Sequence, residues 1–487
     1  MTNAEAVSSY CKKLNSIMKK AAAGGNYNKA LSAASSIFSI EYFWNQKYVD
    51  KDAEKCLVDT AEYMKKELKL NGRNNGQRYI MFYDSFGLDL RGLAAIYLKA
   101  LLEDERTVVY VTTAEGANRQ PVLKKMLTEA GAVIEYVDMR GDYMDCIRRL
   151  YEIYRKYTPE IAFEYNQPWD VAGMVCFMLF ENTVRYKINL TDHAFWGGVN
   201  SFDYCLEFRD YGASVSNLFR GIPAEKIIKL PFYPYINENI PFAGLPFDEG
   251  KRFIFTGGSL YKTIGDGNIY YKIVTELLEK FPDLLFLYAG SGDESGIRQL
   301  QEKFGDRIYH IKERPDFFRV IERCTIYLNS YPIIGGLMTQ YAAAAGRIPL
   351  TINHEGRAEG FLLDGDDEVP IYNSERELLD EAEKLLSDEN YLAERNKKVS
   401  QLVISPEQFR SELKEIMTNH KSGYLANIKQ VETEAIKKEH EYAFKPLYIP
   451  QSIARPAHKS LAVHFPFLFI KHGFGKVSST LKRKIGK

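Results

Sequence analysis

The sequence lacks several features that would assign it to a functional class directly. Its six cysteines are scattered, with no CxxC pair and no partnered histidine spacing, which argues against a zinc site or a disulfide framework. No stretch approaches the roughly 18 apolar residues that cross a bilayer, and the first residues contain no apolar signal segment. Sixty-four basic residues balance 64 acidic residues, so no overall charge favours nucleic acid as a partner. These absences predict a protein of the reducing cytoplasm.

A complete dinucleotide fingerprint is also missing. The segment GSGDESG at 290–296 follows an apolar stretch and precedes a helical pattern, but the G-x-G-x-x-G spacing requires glycine where Ser295 stands. The segment also does not open the first strand of its series. We therefore expect no nicotinamide or flavin cofactor.

The chain instead contains two series in which strands alternate with helices. The first occupies about 76–235 and the second 250–402, with a connection rich in Pro, Gly and Asn at 230–250. Such alternation predicts two doubly wound, Rossmann-like α/β domains, each with a parallel sheet and with function at the carboxyl ends of its strands. A cleft between the domains is the expected working site.

Helical patterns flank the two predicted domains. Residues 1–75 have helical periodicity, part of it like a single helical-hairpin repeat. Because one such unit cannot form a solenoid, we expect this extension to pack on the next domain. Charged amphipathic helices are predicted from 375 to about 445, so that 403–450 forms a C-terminal helical segment.

The C-terminal tail, 451–487, carries eight Lys or Arg and no acidic residue, interleaved with FPFLFI. Basic residues beside aromatic and aliphatic ones suit docking on an anionic membrane surface. The alternative is that FPFLFI packs back on a domain.

An anion site is predicted where a strand of the second series ends in paired glycines. The strand ends near Asn329, and the loop closes on Gly335 and Gly336 before an alanine-rich helix. Bare backbone N–H groups and the positive end of the helix dipole favour phosphate there, and Thr339 can add a hydroxyl donor. The alternative is a tight turn into a buried helix.

A second anion-contacting loop is predicted at the first strand of the same series. This strand ends in TGGSLYKT, where Gly257 and Gly258 let a ligand approach the backbone and Lys262 can reach a phosphate. A plain turn with a surface lysine is the alternative.

The order of these motifs resembles the donor-binding half of the GT-B nucleotide-sugar glycosyltransferases, and the segment is similar to the C-terminal domains of families 1 and 4. The resemblance covers about 252–402 and rests on TGGS with Lys262, YAGSGDE, RPDFF, SYPIIGGLMTQYAAAAGRIP and EGFLLDG. It implies three groups of donor contacts. The diphosphate contacts are Gly258, Ser259 and Lys262; the base contacts are Arg314, Pro315 and Phe317; the pyrophosphate cap is Gly335, Gly336, Leu337, Met338 and Thr339.

The chain departs from this family at one point. Retaining members commonly carry two glutamates eight residues apart across the glycine loop, and Ile333 and Tyr341 occupy those positions. Neither can act as a carboxylate, so an inverting transferase is favoured. Direct displacement needs a base on the acceptor hydroxyl and stabilisation of the departing diphosphate. Since backbone amides and Lys262 can stabilise that group without a DxD-type site, we predict metal independence.

The catalytic base is expected at a strand end of the first domain. In TDHAFWGG, His193 follows an apolar strand, and histidine is the side chain that titrates near neutrality. Neighbours on extended backbone point to opposite faces, so Asp192 need not orient His193. The placement resembles the N-domain histidine of many GT-B enzymes, and Trp196 is a candidate for stacking on a sugar. A structural histidine is the alternative.

The exit of the first strand, DSFGLDLRG, resembles the glycine-containing loop that lines the acceptor cleft in this family. Gly87 provides the glycine, and Asp89 and Arg91 are expected to face the cleft. Alternatively, Arg91 pairs with Asp89 at a helix N-terminus.

These features predict a hexosyl- or N-acetylhexosaminyl-transferase that moves a sugar from a nucleotide diphosphate, expected to be UDP, to an acceptor hydroxyl. The acceptor is expected on a cell-surface glycan, a lipid-linked glycan or a protein, and docking of the tail would place the enzyme on the inner face of the membrane. The oligomeric state stays open. Two other functions also stay open: a nucleotide-sugar epimerase of the same architecture, and a non-catalytic partner subunit, which the missing glutamates favour.

Overall fold

A computed structural model describes residues 3–68, 77–90, 92–113, 119–237, 240–352, 363–364, 371–444, 462–463, 465–466 and 470. The chain divides into two units. The first unit comprises Met1–Leu230 and Glu412–Lys487, and the second unit comprises Pro231–Ser411. The C-terminal residues therefore return to the first unit, and the connection predicted at 230–250 belongs to the second, where Phe242 and Phe247 pack on its core.

The first unit begins with three helices, α1 (Asn3–Ala23), α2 (Tyr27–Trp44) and α3 (Lys51–Glu67). Side-chain caps mark two of their starts, because Asn26 accepts from the N–H of Lys29 and Asp50 accepts from that of Ala53. The apolar faces of the three helices join one buried cluster with residues of the neighbouring sheet. The prediction that the helical extension packs on the next domain is therefore confirmed.

The sheet of the first unit is entirely parallel, with the order β3-β2-β1-β4-β5-β6-β7. Its strands are β1 (Tyr79–Asp84), β2 (Thr107–Thr113), β3 (Val133–Val137), β4 (Ile161–Tyr165), β5 (Val184–Ile188), β6 (Tyr204–Glu207) and β7 (Ile227–Lys229). Its helices are α4 (Ala94–Leu101), α5 (Pro121–Glu129), α6 (Tyr143–Tyr157), α7 (Val171–Phe177) and α8 (Asp210–Leu218). The strand order reverses between β1 and β4, which is where such sheets open a crevice at their carboxyl ends. Strands β6 and β7 were not predicted from the sequence, because they are too short for a periodic pattern.

The second unit contains a second parallel sheet, with the order β10-β9-β8-β11-β12-β13. Its strands are β8 (Phe253–Gly257), β9 (Leu285–Ala289), β10 (Ile308–Ile311), β11 (Ile326–Leu328), β12 (Pro349–Ile352) and β13 (Ile371–Tyr372). Its helices are α9 (Ile269–Lys280), α10 (Ser295–Phe304), α11 (Phe317–Ile321), α12 (Gly336–Ala344), α13 (Glu375–Ser387) and α14 (Glu389–Ser400). Buried apolar clusters cover both faces of this sheet, as its continuous apolar strands predict.

The C-terminal part is less helical than predicted. Helices α15 (Pro406–Asn419) and α16 (Glu434–Ala443) are separated by residues 420–433, which are not helical. This segment lies along α8, where the N–H of Asn427 donates to Asp210 and that of Lys429 donates to Ser214. Its backbone groups therefore find partners on another helix, and this tertiary contact overrides the local preference.

Most of the C-terminal tail, 451–487, lies outside the described residues, and so does its predicted membrane docking. The described Phe465, the first residue of FPFLFI, is buried in the core of the first unit and meets Tyr10 edge to face. Within the described part of the chain, no helix has the length and apolar character needed to cross a bilayer.

Candidate functional site

Two loops at the carboxyl ends of β8 and β11 meet in the second unit. After β8, Gly258 leads into a 3-10 turn, Leu260–Thr263. The N–H of Leu260 donates to the carbonyl of Ser291 at 3.0 Å, and the N–H of Ile333 donates to the carbonyl of Lys262 at 3.2 Å. The two glycine loops that the sequence singled out are thus joined by a direct backbone hydrogen bond.

Lys262 lies half-buried in this turn. Among the residues that the structure describes, none forms a hydrogen bond or ion pair with its ammonium group. Burial lowers the pKa of Lys262 from its ordinary value. A charged group withdrawn from water without a partner is unfavourable, and an anion bound beside it would remove that cost.

The N-terminus of α12 lies next along the same loop. Within the described residues, the N–H groups of Gly336, Leu337 and Met338 have no hydrogen-bond acceptor. Leu337 is among the exposed large apolar residues, so this end of the helix faces solvent. Free N–H groups and the helix dipole together favour an anion at this point.

Asn329, at the end of β11, holds this loop in place. Its side-chain amide donates to the hydroxyls of Thr339 and Thr351, at 2.9 and 3.1 Å, and its carbonyl oxygen accepts from the N–H of Gly335 at 2.9 Å. Thr339 is fully buried, and its hydroxyl donates to the carbonyl of Gly335 at 3.3 Å. The prediction that Thr339 offers a donor to a ligand is therefore wrong, because that hydroxyl is already used inside the fold. From the sequence, Asn329 was predicted only as the end of a strand.

The glycines of GSGDESG have a packing role. A Cβ on Gly290 would lie 1.8 Å from the carbonyl oxygen of Gly258, and a Cβ on Gly292 would lie 2.9 Å from Cβ of Leu260. A Cβ on Gly257 would lie 2.8 Å from Cε of Met338. These glycines let the loops after β8 and β9 pack closely, which accounts for them without a dinucleotide.

The RPDFF segment forms side-chain contacts within the second unit. The Arg314 guanidinium pairs with Asp316 through two hydrogen bonds and donates to the carbonyl of Gly244 at 2.7 Å. Three of its five N–H groups are thus used within the second unit, and the contact of Arg314 with a nucleotide base stays a prediction. Pro315 is exposed and Phe317 is half-buried against Tyr341, with ring centroids 4.7 Å apart.

His193 lies in the first unit, on the segment that follows β5. Its side chain is 43% exposed, and its Nδ1 is 3.3 Å from Oδ1 of Asp192. Arg209 donates to both carboxylate oxygens of Asp192, at 2.6 and 3.1 Å. Burial alone would raise the pKa of Asp192, but Arg209 and His193 hold that pKa well below its usual range. The sequence left open whether Asp192 orients His193, which was predicted to be catalytic together with it; the backbone turns here and brings the two side chains together.

His440, on α16, is a second histidine at this place. Its ring centroid is 6.3 Å from that of His193, and its Nδ1 is 3.2 Å from the carbonyl oxygen of Phe43. Burial, followed by the charge of His193, lowers the pKa of His440 to about 4, so it is neutral near pH 7. Sequence reasoning missed it because 246 residues separate the two histidines along the chain.

The predicted acceptor residues are only partly accessible. Gly87 is buried in a turn at positive φ, and Asp89 accepts from the N–H of Leu123 at 2.9 Å, which places it at the N-terminus of α5. Arg91 lies outside the described residues. Trp196 is 1% exposed, with the cationic ends of Lys187 and Arg220 at 5.4 and 4.7 Å from its ring. The prediction that Trp196 stacks on a sugar is therefore contradicted, because neither ring face is open.

A cavity of about 470 Å³ opens in the first unit at the carboxyl ends of β1 to β4. Its wall includes Ser85, Arg119, Tyr143, Gln167, Trp169 and Asp170, together with Ser35 of α2. The indole of Trp169 is held by Phe43 of α2, with the rings stacked at 5.9 Å between centroids. The cavity coincides with the reversal of strand order, where open α/β sheets bind ligands. The cavity was not predicted from the sequence, because its walls come from six separate segments.

Within the described parts of the chain, no three His, Cys, Asp or Glu side chains are placed to share a metal ion.

Comparison with solved structures shows the fold. The chain is similar to a glycosyltransferase from Rickettsia africae ESF-5, with a TM-score of 0.50 and 14% identity over 71% of this chain and 98% of that one. It is equally similar to a putative UDP-N-acetylglucosamine 2-epimerase from Listeria monocytogenes, with a TM-score of 0.50 and 13% identity over 71% of this chain and 96% of that one. No protein-family model matches the chain, and no curated protein sequence matches it. The predicted fold class, two Rossmann-like domains of the GT-B type, is confirmed.

Proposed function

We propose that this protein is a glycosyltransferase that moves a sugar from a nucleotide diphosphate, most simply UDP, to an acceptor hydroxyl. The observation that carries the proposal is Lys262, whose half-buried ammonium has no partner among the described residues and whose turn is hydrogen-bonded to the loop before α12. A fold shared with a glycosyltransferase and an epimerase supports a sugar nucleotide as the ligand class.

The donor diphosphate fits the chemistry of the second unit. Lys262 would neutralise one phosphate as a point charge, and the free N–H groups of Gly336, Leu337 and Met338 would bind oxygens of the other. Both groups are positioned before the reaction, so they stabilise the charge that develops on the leaving diphosphate. Gly258 and Ser259 would let the diphosphate approach the backbone of this turn.

His193 is the proposed base, with Asp192 as the group that orients it. An imidazole whose Nδ1 faces a buried carboxylate keeps Nε2 as the acceptor for a hydroxyl proton. Because Tyr341 is buried and donates its phenol to the carbonyl of Tyr235, it offers no carboxylate to a two-step reaction. We therefore favour an inverting transfer of a hexosyl or N-acetylhexosaminyl group.

The cavity of the first unit is the proposed acceptor site. Its aromatic side chains suit a sugar face, and the amide of Gln167 suits sugar hydroxyls. The acceptor is proposed to belong to a cell-surface glycan, a lipid-linked glycan or a protein. The proposed location is the cytoplasm, with the basic tail docked on the inner face of a membrane.

Nucleoside diphosphates should stabilise the protein. In a thermal-shift panel of UDP, GDP, ADP and CDP, the matching nucleotide at 100 times its dissociation constant should add about 2.7 kcal/mol to the free energy of unfolding. The free nucleosides serve as controls and should stabilise much less, because they lack the diphosphate. A panel in which no diphosphate raises the midpoint would contradict the donor site.

Chelation should leave the activity unchanged. We expect transfer rates with excess EDTA to stay within about twofold of the untreated rate, since Lys262 and the helix N-terminus supply the charge stabilisation that a metal would otherwise provide. The measurement is nucleotide release before and after dialysis against EDTA, with Mg²⁺ restored as the control. Loss of activity on chelation and its recovery with Mg²⁺ would rule out metal independence.

A further inference from the structure

The segment that carries His193 is fixed through its own backbone. Arg220 donates to the carbonyls of Asp192 and Ala194, at 2.9 and 2.6 Å, and the N–H of Gly197 donates to the carbonyl of Pro168 at 3.1 Å. A loop whose backbone polar groups are held by specific partners has one conformation, as a reacting group requires. Two further partners come from the N-terminal helices.

Asn45, which ends α2, provides the first of these partners. Its side-chain amide donates to the carbonyl of His193 at 2.9 Å, and its side-chain oxygen accepts from the N–H of Phe195 at 2.9 Å. Asn45 is fully buried and has a left-handed backbone with φ 48°, a conformation that asparagine tolerates better than most residues. One side chain thus holds the backbone on both sides of Ala194.

Glu54, on α3, provides the second partner. Its two carboxylate oxygens accept from the N–H groups of Gly198 and Val199, at 2.8 and 3.1 Å. Glu54 is 5% exposed, so these hydrogen bonds are shielded from water. The helices approach this closely because Gly197 has no side chain, since a Cβ there would lie 2.1 Å from Cε2 of Phe38 on α2.

The imidazole of His193 remains 43% exposed while the backbone around it is held. We propose that Asn45 and Glu54 are positioning residues for His193, so that the N-terminal helices form part of the active site; this inference rests on the proposed role of His193. The N-terminal helices then position His193 in addition to packing on the sheet of the first unit.

The test replaces Asn45 by glycine. Asn45→Gly removes both hydrogen bonds without the strain that alanine would meet at positive φ. The matched control is Asn26→Ala at the other end of α2, which removes a helix cap and touches no residue of 192–199. Three quantities are measured for each protein: amide hydrogen exchange of 191–200, UDP binding, and release of UDP from UDP-glucose and UDP-N-acetylglucosamine.

For Asn45→Gly we expect kcat to fall about 10- to 100-fold while KM for the donor stays within about twofold, because a misplaced base affects the chemical step. Exchange should accelerate in 191–200 and stay unchanged in β1 and β4. Glu54→Gln keeps one acceptor and turns an NH₂ group towards the other N–H, so its kcat should be intermediate.

The positioning role is overturned if Asn45→Gly leaves kcat unchanged, or if kcat falls equally in Asn26→Ala. A loss of protection that spreads to β1 and β4 also overturns it, because it would indicate a general loss of stability. The proposed function fails separately, when none of UDP, GDP, ADP and CDP binds the wild-type protein and neither UDP-sugar is turned over. The exchange measurement then still shows whether Asn45 holds the segment.

Discussion

Replacing His193 by alanine should lower the rate of sugar transfer by about 10²- to 10⁴-fold, the usual contribution of a general base. UDP binding should not change, because the proposed diphosphate contacts belong to the second unit. The imidazole is 43% exposed, and a buried carboxylate contacts its Nδ1 at 3.3 Å. The measurement is kcat from UDP release in the presence of acceptor, with UDP affinity determined in parallel.

A suitable control for His193→Ala is His420→Gln. His420 is a structural histidine of the same unit, stacked on Tyr204 at 4.8 Å between ring centroids and with its Nδ1 2.6 Å from Oη of Tyr186. This variant should change stability more than rate. Transfer by His193→Ala at the wild-type rate would remove His193 from the mechanism. No transfer by the wild-type protein alone would instead favour a non-catalytic subunit. Conversion of the donor to an epimer without any acceptor would instead indicate an epimerase.

Replacing Lys262 by methionine should weaken UDP binding by about 10- to 100-fold, since hydrogen bonds to charged groups contribute about 1.5–3 kcal/mol. Methionine keeps an unbranched apolar stem and removes only the ammonium group. Because that ammonium is half-buried without a described partner, the unliganded variant should be at least as stable as the wild type. The measurement is calorimetric titration with UDP, together with thermal unfolding of the unliganded protein.

The matched control for Lys262→Met is Lys272→Met, which changes an exposed lysine on α9. It should bind UDP like the wild type. Uridine provides a second control, because the affinity for a ligand without phosphates should not depend on Lys262. Equal UDP affinity of Lys262→Met and wild type would mean that this lysine does not contact the donor.

Local patterns in the sequence determined the fold class and the position of the glycine loops. The alternation of apolar strands with amphipathic helices predicts two parallel sheets, and the strand, the paired glycines and the alanine-rich helix appear as β11, the loop to Gly335 and α12. These features depend on residues close together in the chain, so periodicity and glycine placement reveal them.

Tertiary structure decided how the candidate sites are built. The contacts of Asn45 with His193 and of Glu54 with Gly198 join residues 148 and 144 positions apart, and no local pattern encodes such pairs. The sequence also predicted the wrong exposure for Trp196, because burial depends on which distant elements pack over a ring. Sequence therefore located the candidate loops, and only packing decided which of their groups remain accessible.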